Sequence, residues 1–367
     1  MKDERGVALL ITLLVVALLT VTVVEFTYSV EVDQHLVRNS LSAMQAQMLA
    51  RSGINLGEAF LARDTNDPPA DWYFEDWASP DIGSVIQLEP DERLKVQVVD
   101  EAGKININNT RPRRGAPPPQ PGQPNLSPDA FLRDAMRRLF EANDIRVDIV
   151  DNLLEYWSQT PTPAPGQQDT QVTIDDFRSL EDFGAMFGIP ARKVTKLRRF
   201  LTALPTGLDG ARTGYQGRIN ANTAPVEVLT AVINDGARVD ALVQRRDGDQ
   251  PIDQAALNEA LQGIEHQAQI AQLFAFTSSY FRVYASAMVG ADPNSDRLGG
   301  VGQTVVALVN RRPIPGVPQD ASPDTPRWTL TPLDWQKKGG AELLVRALQG
   351  DPGSEQTPTN GLMDERN

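Results

Sequence analysis

Residues 5–24 read RGVALLITLLVVALLTVTVV, and the rest of the chain is arranged around that run. No charged side chain lies between Arg5 and Glu25. As a helix, the segment to Val24 therefore spans ~27 Å, close to the ~30 Å apolar thickness of a bilayer. A membrane is the solvent such a run prefers. Lys2, Arg5 and the free amine ahead of it put the short N-terminus on the cytoplasmic side and the bulk of the chain on the other. A secretory signal peptide would end in small residues suited to cleavage, whereas this run flows into Glu25-Phe26-Thr27-Tyr28. A plain single-span anchor remains open.

Beyond the run, Glu25 to Asp64 holds no proline, and Phe26, Val30, Val37, Leu41, Met44 and Met48 fall at helical intervals. The spacing predicts one rod over residues 7–63, ~85 Å long, ended by Asn66-Asp67-Pro68-Pro69. Gly53 and Gly57 share one face of it, where they admit a close neighbour, the chain's own globular part before another subunit; equally they only loosen the helix. A short charged leader ending in Gly6, followed at once by an apolar run that continues as a long amphipathic helix, resembles the leader of type IV prepilins and pseudopilins. That resemblance implies cleavage between Gly6 and Val7 by a prepilin peptidase and methylation of the new terminus. Most such proteins carry a glutamate at the fifth mature position, where this chain has Ile11. An unpartnered carboxylate near mid-membrane costs ~2.5–3.5 kcal/mol, so an apolar residue suits a subunit with nothing ahead of it, or a mere anchor.

The chain has 367 residues, 41% of them hydrophobic, enough for a sizeable core and two domains after the anchor. A net charge of −13 repels nucleic acid and anionic headgroups and favours basic partners. There is no cysteine, which excludes disulfides and thiolate metal sites. His35 and His266 are the two histidines, neither with a second His at ligand spacing, and the chain shows no G-x-S-x-G, phosphate loop or S-x-x-K. We therefore expect no enzyme, although paired carboxylates are not excluded by sequence.

Trp72, Tyr73, Phe74 and Trp77 follow the rod; they pin a loop onto the core or, exposed, form a binding surface. Residues 84–100 alternate as strands, and Glu101-Ala102-Gly103 turns into Lys104-Ile105-Asn106-Ile107-Asn108. That element has an echo in Arg218-Ile219-Asn220-Ala221-Asn222-Thr223-Ala224-Pro225. There Asn222 or Thr223 can cap a helix, Pro225 suits its first turn and Glu227 complements its dipole. The pair suggests a domain interrupted by an insertion, or a coincidence of a short polar motif.

The runs EAGKININ, FRSLEDFGAMFGIPARKVTKLRRFLTALP and GRINANTAPVEVLTAV, in this order and behind such a leader, resemble the K family of type II secretion minor pseudopilins over most of residues 1–311. The resemblance implies an α+β fold: a long N-terminal transmembrane helix, a pseudopilin-type antiparallel sheet packed on it, and a large, mostly α-helical inserted domain. The layout expected is a leader at 1–6, the membrane part of the helix at 7–24 and its periplasmic continuation at 25–64. The first part of the pseudopilin domain follows at 65–110, the insertion at 111–217, return helices and strands at 218–311, and a flexible tail at 312–367, where Trp328 and Trp335 could dock a last short strand. Strands at 280–287 and 302–309, joined through Asp292-Pro293-Asn294, would complete the sheet with those of 94–108.

Within the insertion, helices are expected over 128–141 and 145–157, then two joined at Gly188 over 175–187 and 191–201. The Pro-rich stretches 111–127 and 160–170 read as loops. The helical pair is of helix-hairpin-helix kind, with Arg192, Lys193, Lys196, Arg198 and Arg199 to offer a nucleic-acid backbone, but the acidic chain beyond a membrane argues against that use. In the K family the neighbouring segment often holds an acidic run that contributes to calcium binding. Here Asp148, Asp151, Glu155 and Asp169 could supply some of the six to eight oxygens calcium takes, or are solvated surface. By resemblance the chain is a single-pass inner-membrane protein, its C-terminal part periplasmic. It would cap a pseudopilus with the I and J minor pseudopilins and the major pseudopilin, and help initiate its assembly. A type IV pilus or DNA-uptake minor pilin is the competing class.

Overall fold

The computed structural model describes residues 3–64, 70–78, 85–112, 127–158, 176–206, 217–248, 250–290, 300–317 and 325–339. Helix α1, Asp3–Arg63, is 61 residues long and has no proline and no glycine between Val7 and Ser52. From Val7 to Leu41 every side chain is exposed, whereas Ala46, Ala50, Ile54 and Leu61 are completely buried at helical spacing. One half of the rod thus meets only its surroundings, and the other half is core. The proline stop expected at 66–69 lies outside the described residues.

The buried half lies on a five-stranded antiparallel sheet in the order β1 (Val85–Gln87), β2 (Glu92–Asp100), β7 (Tyr280–Val289), β8 (Val301–Pro313), β9 (Trp328–Gly339). Alternate side chains face the helix: Leu94, Val96 and Val98 from β2, Phe281, Val283, Ala285 and Ala287 from β7, Val305, Ala307 and Val309 from β8. Gly53 and Gly57 set the approach distance. A Cβ on Gly53 would stand 2.8 Å from the Ala285 Cβ and 2.9 Å from Leu94, and one on Gly57 would stand 2.6 Å from Val283. The two glycines therefore serve packing against the chain's own sheet. Trp77 closes this core edge-on against Phe281, with ring centres 5.1 Å apart.

Between β2 and β7 the chain builds a second, helical body by using one plan twice. Strand β3 (Ile105–Asn106) is followed by α2 (Pro128–Ala142), α3 (Asp148–Ser158), α4 (Leu180–Met186) and α5 (Ala191–Leu197), and then by β4 (Leu201–Thr202), which pairs with β3 in parallel. Strand β5 (Ile219–Asn220) is followed by α6 (Val226–Ile233), α7 (Gly236–Asp247), α8 (Gln254–Ala260) and α9 (Gln267–Ala271), and then by β6 (Phe274–Ala275), parallel to β5. In each half the last two helices meet at a left-handed glycine before isoleucine: Gly188 (φ 66) with Ile189, and Gly263 (φ 80) with Ile264. One hydrophobic core unites both halves, from Ile105 to Phe274.

Several expectations are corrected by this arrangement. The helices after residue 218 do not return to the sheet; they pack with those of 111–217, so the helical body runs from Ile105 to Ala275. Ile105-Asn106 belongs to the short parallel pair and not to the main sheet. The helix expected over 191–201 ends at Leu197, because Leu201-Thr202 is drawn into pairing with β3. Last, the tail expected from 312 supplies a 12-residue edge strand, β9. Pro332 is tolerated there because the edge leaves its missing N–H unneeded, and the register shifts beside it at Leu308/Val309.

Candidate functional site

The asparagines of the repeated motif are fold-forming. Asn108 receives an N–H from Phe177 (2.9 Å) and donates to the Phe177 carbonyl (3.0 Å); Asn222 does the same with Ile252, at 2.6 and 3.0 Å. Each thereby mimics a peptide group and ties its strand to the segment before the third helix of its half. Asn106 and Asn220 turn back on the chain, each accepting the amide of the residue two places on, Asn108 and Asn222, at 3.2 and 3.0 Å. Neither Asn222 nor Thr223 caps α6, whose N-cap position is Pro225; the Thr223 hydroxyl goes to Asp100 instead.

Asp100, at the end of β2, is the centre of a buried joint between sheet and helical body. Its carboxylate accepts from the Ala102 amide (2.7 Å), Asn220 Nδ2 (3.1 Å), and the Ser278 and Thr223 hydroxyls. Burial pushes its pKa up, against the pull of these bonds. Next to it, burial would raise the Glu101 carboxyl, but Lys104 (2.8 Å), Arg282 (3.0 Å) and the Thr202 hydroxyl (2.6 Å) outweigh burial and draw it down to about 2.

At the far end of α1, Arg311 of β8 pairs with Asp64 and Asp71 and lies between the rings of Phe281 (4.6 Å) and Trp328 (4.2 Å). Burial, opposed by Arg311, lifts Asp71 to about 6. Glu75 receives the Trp72 amide (3.1 Å) and the Trp77 indole N–H (2.6 Å); burial, with Asp64 and Asp71 nearby, lifts it to about 9. Oxygens of Asp64, Asp71 and Glu75 lie within 4.8 Å of one another. Arg311 already supplies the positive charge there, so the group is a structural ion cluster. Of the four clustered aromatics, Trp72 and Trp77 are buried and Phe74 is exposed. Sequence reading missed this cluster because its partners are 240 and 247 residues apart.

Among the described residues, Asp148, Asp151 and Glu155 lie along one helix and do not converge as a three-ligand group. Asp148 pairs with Arg146, Asp151 pairs with Arg137 at 2.6 Å, Glu155 is exposed, and Asp169 lies outside the described residues. The basic residues of the helical hairpin are also partly engaged: Lys193 donates to the Asp144 carbonyl, Arg198 pairs with Glu181, and Arg199 lies 3.5 Å from Glu227. Gly6 and Val7 lie in the first turns of α1, and Ile11 is 56% exposed, one of an uncharged series from Val7 to Val24 whose side chains are all exposed.

No family model matches the chain. Among curated relatives, it is 26% identical over 266 residues to the type II secretion system protein K of Pseudomonas aeruginosa, a match covering 67% of this chain and 73% of that protein. Among solved structures, it shares the fold of a chain in the crystal structure of the GspK–GspI–GspJ complex from the type 2 secretion system of enterotoxigenic Escherichia coli. That match has a TM-score of 0.53 and 16% identity, and covers 83% of this chain and 99% of the other. In sequence the chain is thus similar to a type II secretion system protein K, and in fold to a chain of the GspK–GspI–GspJ complex.

Proposed function

We propose that the chain is a minor pseudopilin that caps the periplasmic pseudopilus of a type II secretion system and helps initiate its assembly, so that folded proteins are exported across the outer membrane. The observation that carries this reading is the division of α1. Its first half is bare and apolar while its second half is buried against the sheet, the form of a subunit that inserts one end in lipid and assembles through its helix. An apolar Ile11 removes the need for a partner amine ahead of it. The helical body, broad and set beyond the sheet, suits an end better than a crowded shaft. Its role is structural and not catalytic, and the I and J minor pseudopilins are its expected neighbours.

In this account Met1–Gly6 are removed by a prepilin peptidase and Val7 becomes the methylated terminus, with the body in the periplasm and the anchor in the inner membrane. Intact-mass analysis of membrane-extracted protein tests this. Loss of residues 1–6 with one added methyl group is expected, and an uncut chain from cells that hold the peptidase would sink it. The DNA-uptake reading predicts retention of duplex DNA at physiological salt; we expect none.

A further inference from the structure

We propose that helix α5 of the helical body presents a docking stripe for an acidic polypeptide segment in extended form. Arg192 and Lys196 lie one turn apart on the exposed side of α5, away from Val194 and Leu197, which are buried in the core. Arg199, with its side chain 64% exposed, follows in the turn after the helix. At the helical rise the three span ~10 Å. Lys193 and Arg198 are engaged by the Asp144 carbonyl and by Glu181, whereas Arg192 and Lys196 have no hydrogen bond or ion pair among the described residues. The fold does not ask for these charges. The helix in the matching place of the second half, α9, reads Gln267-Ala268-Gln269-Ile270-Ala271 and carries none. Both helices follow a left-handed glycine and an isoleucine, and both bury one aliphatic side, through Val194 and Ile270. Solubility does not ask for them either, since the chain already stands at a net charge of −13 and removing bases would only enlarge it.

The spacing of the stripe selects its partner. At physiological ionic strength its field reaches only ~8 Å, so the partner must come into contact with it. A step of four residues along α5 is ~6 Å, close to the ~6.6 Å between side chains two apart on one side of an extended chain. Carboxylates at alternate positions of an extended segment therefore meet Arg192 and Lys196 in register, and the next one approaches Arg199. A nucleic-acid duplex fits poorly. It carries a charge every ~1.7 Å of its axis and binds through many phosphates at once. This stripe offers three bases and is bounded by the half-exposed carboxylates of Glu181, paired with Arg198, and Glu227, beside Arg199. A short acidic segment touches the bases alone, while a long polyanion also meets those carboxylates and the acidic chain beyond them.

The test titrates a fluorescein-labelled peptide of alternating aspartate and serine with the detergent-extracted full-length chain at physiological salt, read by anisotropy. Saturable binding is expected, and Arg192→Glu combined with Lys196→Glu should weaken it at least ~10-fold. Arg38→Glu combined with Arg51→Glu makes the same change of net charge at exposed sites on α1, and should leave the affinity within ~2-fold. If the charge-reversed pair on α5 does not fold, Arg192→Gln combined with Lys196→Gln decides, with a loss in the same direction. Absence of saturable binding overturns the proposal, as does an equal loss in the α5 and α1 pairs, which would reduce the effect to net charge. A DNA duplex held as tightly as the peptide, and released by the same α5 pair, would overturn it in favour of nucleic acid.

Discussion

Replacing Gly53 by alanine sets two effects of known size against each other. In a solvated helix the exchange stabilises by about 1 kcal/mol, because glycine loses more backbone freedom on folding. Here the added methyl would stand 2.8 Å from the Ala285 Cβ and 2.9 Å from Leu94 Cδ1. The leucine end can swing, but the Ala285 Cβ is fixed to the backbone of a central strand, so relief requires helix and sheet to separate. Overpacking of this kind costs about 1–3 kcal/mol, so the net effect is a loss of about 0–2 kcal/mol where propensity alone promises a gain. Gly236 is the control: a Cβ there meets nothing within 4 Å, and Gly236→Ala should be neutral or stabilising. Urea titration of the detergent-extracted chain, followed by tryptophan emission, reads these differences. Ala285→Gly in the Gly53→Ala background should recover stability, with a coupling of about 1 kcal/mol or more in the double-mutant cycle. If Gly53→Ala stabilised as much as the exposed control, or showed no coupling to Ala285, the rod would not be seated on the sheet as described.

Further outcomes follow from the joint. Asp100→Ala strands the Thr223 and Ser278 hydroxyls and the Ala102 amide in a buried space and should cost about 3–5 kcal/mol, seen as a large fall in thermal midpoint. Asn108→Ala and Asn222→Ala each remove two bonds to a buried backbone segment; we expect similar losses of about 2–4 kcal/mol from both, by the same assay. Arg311→Lys keeps the charge but not the fork that spans Asp64 and Asp71 or the stacking on Phe281 and Trp328, and should destabilise by about 2–4 kcal/mol. The pH dependence has a definite sign. Asp71 and Glu75 have folded-state pKa values of about 6 and about 9, above their unfolded values, so their contribution is full only below the ordinary carboxylate range. It declines as pH rises from that range to about 6 for Asp71 and to about 9 for Glu75, at up to ~1.4 kcal/mol per pH unit and proton, and levels off above. Glu101, held at about 2, works the other way, and its contribution is lost as pH falls below its ordinary value toward 2. Glu75→Gln should flatten the decline between the ordinary carboxylate range and pH about 9, and an unchanged slope there would contradict the assignment.

What the sequence revealed follows the range of the interactions involved. The rod was legible because an uncharged, proline-free run specifies a helix locally, β2 because its residues alternate, and β7 and β8 because they are runs rich in β-branched and aromatic residues. The echo between Ile105-Asn106-Ile107-Asn108 and Ile219-Asn220-Ala221-Asn222 was visible, but not its meaning. The second helical hairpin lacks the Gly-Ile-Pro of the first, and only its backbone, with Gly263 at φ 80, shows the match. Strand β9 was foreshadowed only as a last short strand docked by Trp328 and Trp335; its 12-residue length was not legible, because Pro332 interrupts the run and is harmless only at an edge. The ion cluster could not be read at all, since Asp64 and Asp71 look like loop acids until the fold brings Arg311 to them.

The account rests on this chain occupying the end of a fibre. Gold labelling of an epitope in the helical body, on pseudopili drawn out by overproduction of the major subunit, tests that directly. A single label at one extremity of each filament is the predicted result. Labels spaced along the shaft, or none on filaments while the protein remains in the membrane, would contradict it.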